Sequence, residues 1–519
     1  MHSKEPQNVN FLRLFAFRQH HFTGGTFMSM ISVTDLTFAY DGSYDNIFEH
    51  VSFQIDTDWK LGFIGRNGRG KTTFLNLLMG RYEYSGKIAS NVEFEYFPYP
   101  VSKPEEMTLS IAEEINPAAH DWQLFKELNL LDVNPEVLYR PFSTLSNGER
   151  TKVLLAALFL KEHAFLLIDE PTNHLDIRAR EKVAAYLNTK KGFILVSHDR
   201  VFLDSCIDHV LSINRADIEV QRGNFSSWYA NKEANDQMEL SKNAQLKQDI
   251  RRLETAAKRT GDWSEKVEKT RTGTKVAGLK PDRGHVGHMA AKMMKRSKSI
   301  EGRQENAIQE KKLLLKNIES LDDLKLHPLP YHSDKLVSLE NIEIAYSGFP
   351  VCSGVSFEIH RGDRICLNGK NGCGKSSLIK LILGENLPHT GDLHIGSGLK
   401  ISYISQDTSW LSGNLAGFSK QYGIEESILK TVLRKLGLER VQFEKRIEDF
   451  SEGQKKKVLL AKSLCEQAHL FIWDEPLNFI DIFSRMQLEE LLKEYQPTML
   501  FVEHDSAFQE KTATKFVEL

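Results

Sequence analysis

The sequence has no long apolar run. The longest, Val153 to Leu160, falls far short of the roughly 20 residues a membrane helix needs, so no membrane domain is predicted. It also lacks any cysteine pattern: Cys206, Cys352, Cys366, Cys373 and Cys465 form no C-x-x-C pair and no metal-like spacing. Neither a disulfide framework nor a zinc site is indicated, and a reducing cytosol is the expected home. A secretory signal is missing as well. The short apolar patch from Phe11 to Phe17 is interrupted by Arg13 and is followed by no small-residue cleavage site. Recognisable folded sequence begins at Ile31, just after Met28 and Met30. Gly24-Gly25 fits a purine-rich stretch at ribosome-binding-site distance, so translation is expected to start at Met28, with 1–27 a disordered upstream extension.

What is present is a 519-residue chain, 41% apolar and 10% aromatic, long enough for two to four domains. Its formal charge of -3 hides an uneven distribution: from Ser241 to Lys316 there are eleven more positive than negative charges, and acidic residues dominate the flanks. A basic middle seeks phosphate or acidic partners.

Self-comparison organises the rest. GRNGRGKTT (Gly65 to Thr73) recurs as GKNGCGKSS (Gly369 to Ser377), both fitting G-x-x-x-x-G-K-[ST]. LSNGE (Leu145 to Glu149) recurs as FSEGQ (Phe450 to Gln454), LLIDEP (Leu166 to Pro171) as FIWDEP (Phe471 to Pro476), and LVSHD (Leu195 to Asp199) as FVEHD (Phe501 to Asp505). The spacing from Lys71 to Asp169 differs by one residue from that of Lys375 to Asp474, and Ser146 to Asp169 equals Ser451 to Asp474. A lone P-loop pattern is weak. Four ordered motifs twice over are not chance. The order strand, glycine-rich turn, helix, helical insert, strand, strand predicts an α/β fold, with a mostly parallel sheet and a P-loop at a strand's carboxyl end.

In each P-loop the glycines (Gly65, Gly68 and Gly70; Gly369, Gly372 and Gly374) let backbone N–H groups close around the phosphates of ATP, beside Asn67 and Asn371. Lys71 and Lys375 neutralise phosphate, and Thr72 and Ser376, each followed by another hydroxyl in Thr73 and Ser377, carry the oxygen for Mg²⁺. Asp169 and Asp474 hold that ion from the other side, and Glu170 and Glu475 stand where a carboxylate orients or deprotonates the attacking water.

Both halves resemble ATP-binding cassette domains, and their arrangement on one chain without a membrane segment is similar to the ABC-F family of ribosome-associated ATPases, over nearly everything from Ile31 to Leu519. The implied layout is 28–222 as cassette 1, 223–332 as a basic helical hairpin linker and 333–519 as cassette 2. The resemblance makes His198 and His504 the switch histidines at the γ-phosphate. It makes LSNGE and FSEGQ the signatures that reach the nucleotide of the opposite cassette, so Lys71 faces Ser451, Gly453 and Gln454 while Lys375 faces Ser146, Gly148 and Glu149. Tyr40 and Tyr346 either stack on adenine or fill the strand core. Gln406 matches the metal-binding Q-loop glutamine, but Tyr99 stands at that place in the first half, so the two sites are expected to be unequal. Leu477 and Phe479 also replace residues of the usual contact loop, and Trp473 is expected in the core.

The connector shows apolar residues at helical spacing (Leu246, Ile250, Leu253 and Ala257, then Met294, Ala307, Ile308, Leu314, Ile318 and Leu321), which reads as two antiparallel helices with a loop over about 260–288. Lys266, Lys269, Arg271, Lys275, Lys280, Arg283, Lys292, Lys295 and Arg296 are the expected RNA contacts, with Trp263, Val276 and Leu279 at the bases. WSEKVEKTRTGTK and AAKMMKRSKS resemble the antibiotic-resistance branch of Lsa type, the absence of a long inserted arm in either cassette fits it, and so does the lack of a long tail after His504. That likeness implies a monomer whose cassettes close on each other, bound in the cytoplasm to the large-subunit rRNA and P-site tRNA of the ribosome, protecting it from lincosamides, streptogramins A and pleuromutilins. The rivals are a housekeeping ABC-F translation factor and the ATPase subunit of an efflux transporter, for which the basic hairpin has no purpose.

Overall fold

The computed structural model describes residues 29–40, 46–173, 175–214, 217–238, 324–346, 349–370 and 372–519, with Ser241, Gln245, Gln248, Thr255, His288, Lys292 and Lys295 as isolated positions. One architecture occurs twice. In the first half, parallel strands run in the order Glu93–Phe97, Ala164–Asp169, Phe193–Val196, Lys60–Ile64 and His209–Asn214, and Asp217–Arg222 closes the edge antiparallel. In the second, all five are parallel: Ile401–Ile404, Leu470–Asp474, Met499–Val502, Arg364–Asn368 and Lys515–Glu518. The central strands are apolar throughout because helices cover both faces. Phe63 and Phe74 lie in one core layer, Leu155, Ile168 and Leu195 in the other, all buried.

This order places the chemistry. The strand ending at Asp169 lies next but one to the strand that leads into the P-loop, and the strand between them ends just before His198. Three groups therefore converge at the carboxyl ends of neighbouring strands. The turn into the helix Lys71–Leu78 needs Gly70, whose φ of 93° is left-handed and where a Cβ would come within 2.6 Å of Ile47 Cγ2.

Each half also carries a three-stranded antiparallel sheet that the sequence reading did not separate from the parallel one. These sheets are Phe48–Asp56, Met30–Phe38, Ser85–Ala89 and Phe349–His360, Lys335–Tyr346, His389–Ile395. Their strands mix buried and exposed positions, the mark of a sheet covered on one face.

The packing does not stop at the expected connector borders. Phe225 and Trp228, in helix over 225–238, join the first half's core, and Leu324, Leu326 and Tyr331 join those of the second. Lys292 and Lys295 are helical and exposed. Lys266, Lys269, Arg271, Lys275, Lys280, Arg283 and Arg296, with Trp263, Val276, Leu279 and the apolar positions expected on the two hairpin helices, lie outside the described residues. Among the described residues no helix is long and apolar enough to cross a membrane.

Candidate nucleotide sites between the two halves

Two cavities open where the halves meet. One, of about 410 Å³, is lined by the first P-loop from Asn67 to Thr73 together with Ser451, Gly453 and Gln454 of the second half. The other, of about 900 Å³, is lined by Gly372, Gly374, Lys375, Ser376 and Ser377 together with Ser146, Gly148 and Glu149 of the first half. Each lysine thus faces the other half's signature, the arrangement the family resemblance implied. Asn371 lies outside the described residues.

The signature serines sit at helix starts. Ser146 caps Asn147–Phe159 and Ser451 caps Glu452–Cys465, each accepting from the backbone N–H three residues on at 3.3 Å. Glu149 and Gln454 answer by accepting from the serine N–H at 2.8 and 3.0 Å, so both are held as capping-box partners at the cavity wall. The spacing S-x-x-E/Q was the signal for this. The helix N-termini aim their partial positive charge at the opposite P-loop.

In the P-loops, Lys71 Nζ donates to Gly65 O at 2.5 Å and Lys375 Nζ to Gly369 O at 2.8 Å. Thr72 donates to Asp169 at 3.2 Å, and Ser376 bonds Asp474. Tyr40 and Tyr346 are half exposed in their cavities, each bonded through its hydroxyl to Thr73 (2.7 Å) or Ser377 (3.2 Å), rather than in the core. Trp473 is fully buried and donates to Ser463.

The two Glu-His corners differ. Glu475 accepts from Gln406 at 2.9 Å and Asn478 at 2.7 Å, with His504 Nε2 at 3.6 Å. Burial opposes its ionisation, but His504 and then Gln406 hold it below the usual carboxylate range. Among the described residues Glu170 has no side-chain amide donor: His198 lies 3.3 Å away, and burial, with Asp169 beside it, pushes Glu170 up to about 8 against the hydrogen bond from the His198 backbone. Burial and Lys71 push His198 well below its usual range, so the pair meets as two neutral groups rather than as an ion pair. Tyr99 packs against the core, and a residue the sequence reading missed, Tyr96, donates to Asp169 at 2.9 Å.

Lys457 was missed too. It is buried on the second signature helix, 3.7 Å from Asp481, and Asp481 in turn acts on Lys71. Lys152 holds the matching place at the other cavity, and the aligned repeat of signature helices was the available signal.

Glu170 Oε1, Asp474 Oδ1 and His504 Nε2 are buried without a hydrogen-bond partner, as groups reserved for a metal or phosphate would be. Among the described residues no three His, Cys, Asp or Glu cluster to hold a metal alone. That donor set suits Mg²⁺, which takes most of its ligands from phosphates and water.

The ABC transporter family pattern matches residues 48–173 and 352–478, each span running from before a P-loop to just past its Asp-Glu pair. The chain carries two tandem ATP-binding cassette domains. Its domains are of the kind that binds ATP, typically with Mg²⁺. The tandem-cassette protein is 28% identical over 513 residues to the ATP-binding protein Uup of Buchnera aphidicola subsp. Acyrthosiphon pisum, covering 94% of this chain and 80% of that one. It is 28% identical over 487 residues to the ribosome protection protein VmlR of Bacillus subtilis (92% and 85%) and 25% over 528 to the energy-dependent translational throttle protein EttA of Escherichia coli K12 (91% and 89%). These relatives support the ABC-F family. The fold matches the archaeal ribosome recycling factor aABCE1, solved in complex with the ribosomal stalk protein aP1, with a TM-score of 0.60 at 18% identity over 93% of this chain and 87% of that one.

Proposed function

We propose that the chain is an ATPase that protects the ribosome from antibiotics, entering the tRNA exit site beside P-site tRNA and displacing lincosamides, streptogramins A or pleuromutilins from the peptidyl-transferase centre. The observation that carries the ATP-driven part is the pairing of each P-loop with the opposite signature across a cavity. Lys71 and Lys375 with the P-loop N–H groups hold the phosphates, and Ser451, Gly453, Ser146 and Gly148 complete each site only when the halves are closed. Bound Mg²⁺ would neutralise phosphate charge; Thr72 with Asp169, and Ser376 with Asp474 and Gln406, would hold it. Glu475 and Glu170 position water, His504 and His198 stand at the γ-phosphate, and loss of that phosphate lets the halves part and releases the ribosome.

The ribosomal part is supported by the basic connector and by the relative named as a ribosome protection protein. A relative named as a translational throttle, of like coverage, favours a second reading, a housekeeping translation factor working in the cytoplasm. Expressing the chain in a drug-sensitive cell separates them. Raised inhibitory concentrations for one of the three drug classes support protection; unchanged susceptibility with ATP-dependent co-sedimentation on ribosomes supports the housekeeping role. Neither effect would sink both.

A further inference from the structure

The halves depart from each other at two positions that touch. In the first, the hydroxyls of Thr172 and Ser197 lie 3.2 Å apart, and Ser197 accepts from Asp199 N at 3.2 Å. The second half has Leu477 and Glu503 at those places. Leu477 is fully buried, and its backbone N–H donates to Glu503 Oε1 at 2.7 Å, while Glu503 Oε2 accepts from the N–H of His504 at 3.1 Å.

One buried carboxylate therefore bridges two loops that face different sites. Two residues beyond Leu477, Phe479 has a left-handed φ of 63°, and its carbonyl accepts from Asn67 Nδ2 of the first P-loop at 2.8 Å. The signature Gly453 is wedged against the same carbonyl, where a Cβ would stand 3.0 Å from the oxygen. At the other end, His504 reaches Glu475 in the Lys375 site. Burying a carboxylate is costly, and the first half does without one here. Arg485 acts on Glu503 through its charge, but its hydrogen bonds go elsewhere: it donates to Ile480 O and Asp505, as Arg180 does to Leu175 O and Asp199.

We propose that Glu503 is a positioning residue that couples the two nucleotide sites, tying the switch histidine of the Lys375 site to the loop that completes the Lys71 site. The inference rests on the reading of these cavities as paired ATP sites. A change at His504 is carried by the carboxylate bridge to the Leu477 loop, to Phe479 O and so to Asn67.

The test transplants the first half's pair, Leu477→Thr with Glu503→Ser, and measures coupling rather than rate. In the otherwise unchanged protein, Lys71→Ala should shift the ATP concentration that half-saturates turnover at the remaining site by about fivefold or more. In the transplant the same substitution should shift it by less than about twofold, with a fluorescent ATP analogue still binding. Should the transplant melt early, Glu503→Gln serves instead: it keeps the size but loses one acceptor, and should cut the shift by at least about half. An undiminished shift in a variant that melts like the unchanged protein overturns the role of Glu503, and so does no shift in the unchanged protein. No ATP turnover in the unchanged protein would overturn the ATPase reading along with it.

Discussion

At the scale of single residues the repeat hides an inequality. Glu475 is held as a carboxylate against its burial by His504 and Gln406, whereas burial and the neighbouring Asp169 push Glu170 towards its protonated form. A base must be ionised to take a proton, so the Lys71 site should be the slower at neutral pH. In Glu475→Gln, which leaves the Lys71 site working, steady-state ATPase activity should climb as pH rises through about 8. In Glu170→Gln the remaining activity should be nearly flat from neutral pH upward, since Glu475 is already charged. Parallel profiles would sink the asymmetry. Changing both to Gln should cut turnover at least about 100-fold while ATP binding survives, and the closed protein should accumulate on ribosomes in co-sedimentation.

At the scale of elements, the signature helices and the connector were legible to different degrees. The helices announced themselves through Ser146 and Ser451 with Glu149 and Gln454 three residues later, a local pattern needing no tertiary context. The connector announced its charge and its period, yet its base is fixed by contacts far away in sequence. Trp228 packs on Phe483 of the second half at 6.2 Å between rings, and Lys232 lies over both rings. The helix leaving cassette 1 is therefore seated on cassette 2. Shortening Lys275 to Arg283 should leave ATPase activity and most ribosome co-sedimentation intact but abolish the rise in inhibitory concentration. Replacing several basic residues of the connector should instead weaken ribosome binding broadly and flatten its salt dependence. Full resistance after the shortening would place the activity elsewhere.

At the scale of the whole molecule, the two halves are held by a contact that their repeat does not share. Arg200 and Glu489 form a buried bidentate ion pair between the halves, and the equivalent places hold Ser506 and Ala184. Arg200→Ala leaves Glu489 buried with Lys511 as its remaining partner and should destabilise the closed pair of halves by about 3–5 kcal/mol, seen as a lower Tm. Arg200→Met with Glu489→Leu should lose much less, because no charge is left buried alone. Sequence by itself determined the two cassettes and their ordered motifs: the P-loop lysines and hydroxyls, the Asp-Glu pairs and the histidines of LVSHD and FVEHD. Those depend on short motifs whose chemistry is local and whose order repeats. Only tertiary structure decided which groups share a site. Tyr96 reaches Asp169 across neighbouring strands, Lys457 and Asp481 come to Lys71 from the opposite half, and Arg200 finds Glu489 nearly 300 residues away. Partners brought together by strand order and by the meeting of two folded halves leave no spacing in the chain to read, because their distance is set by packing rather than by covalent geometry.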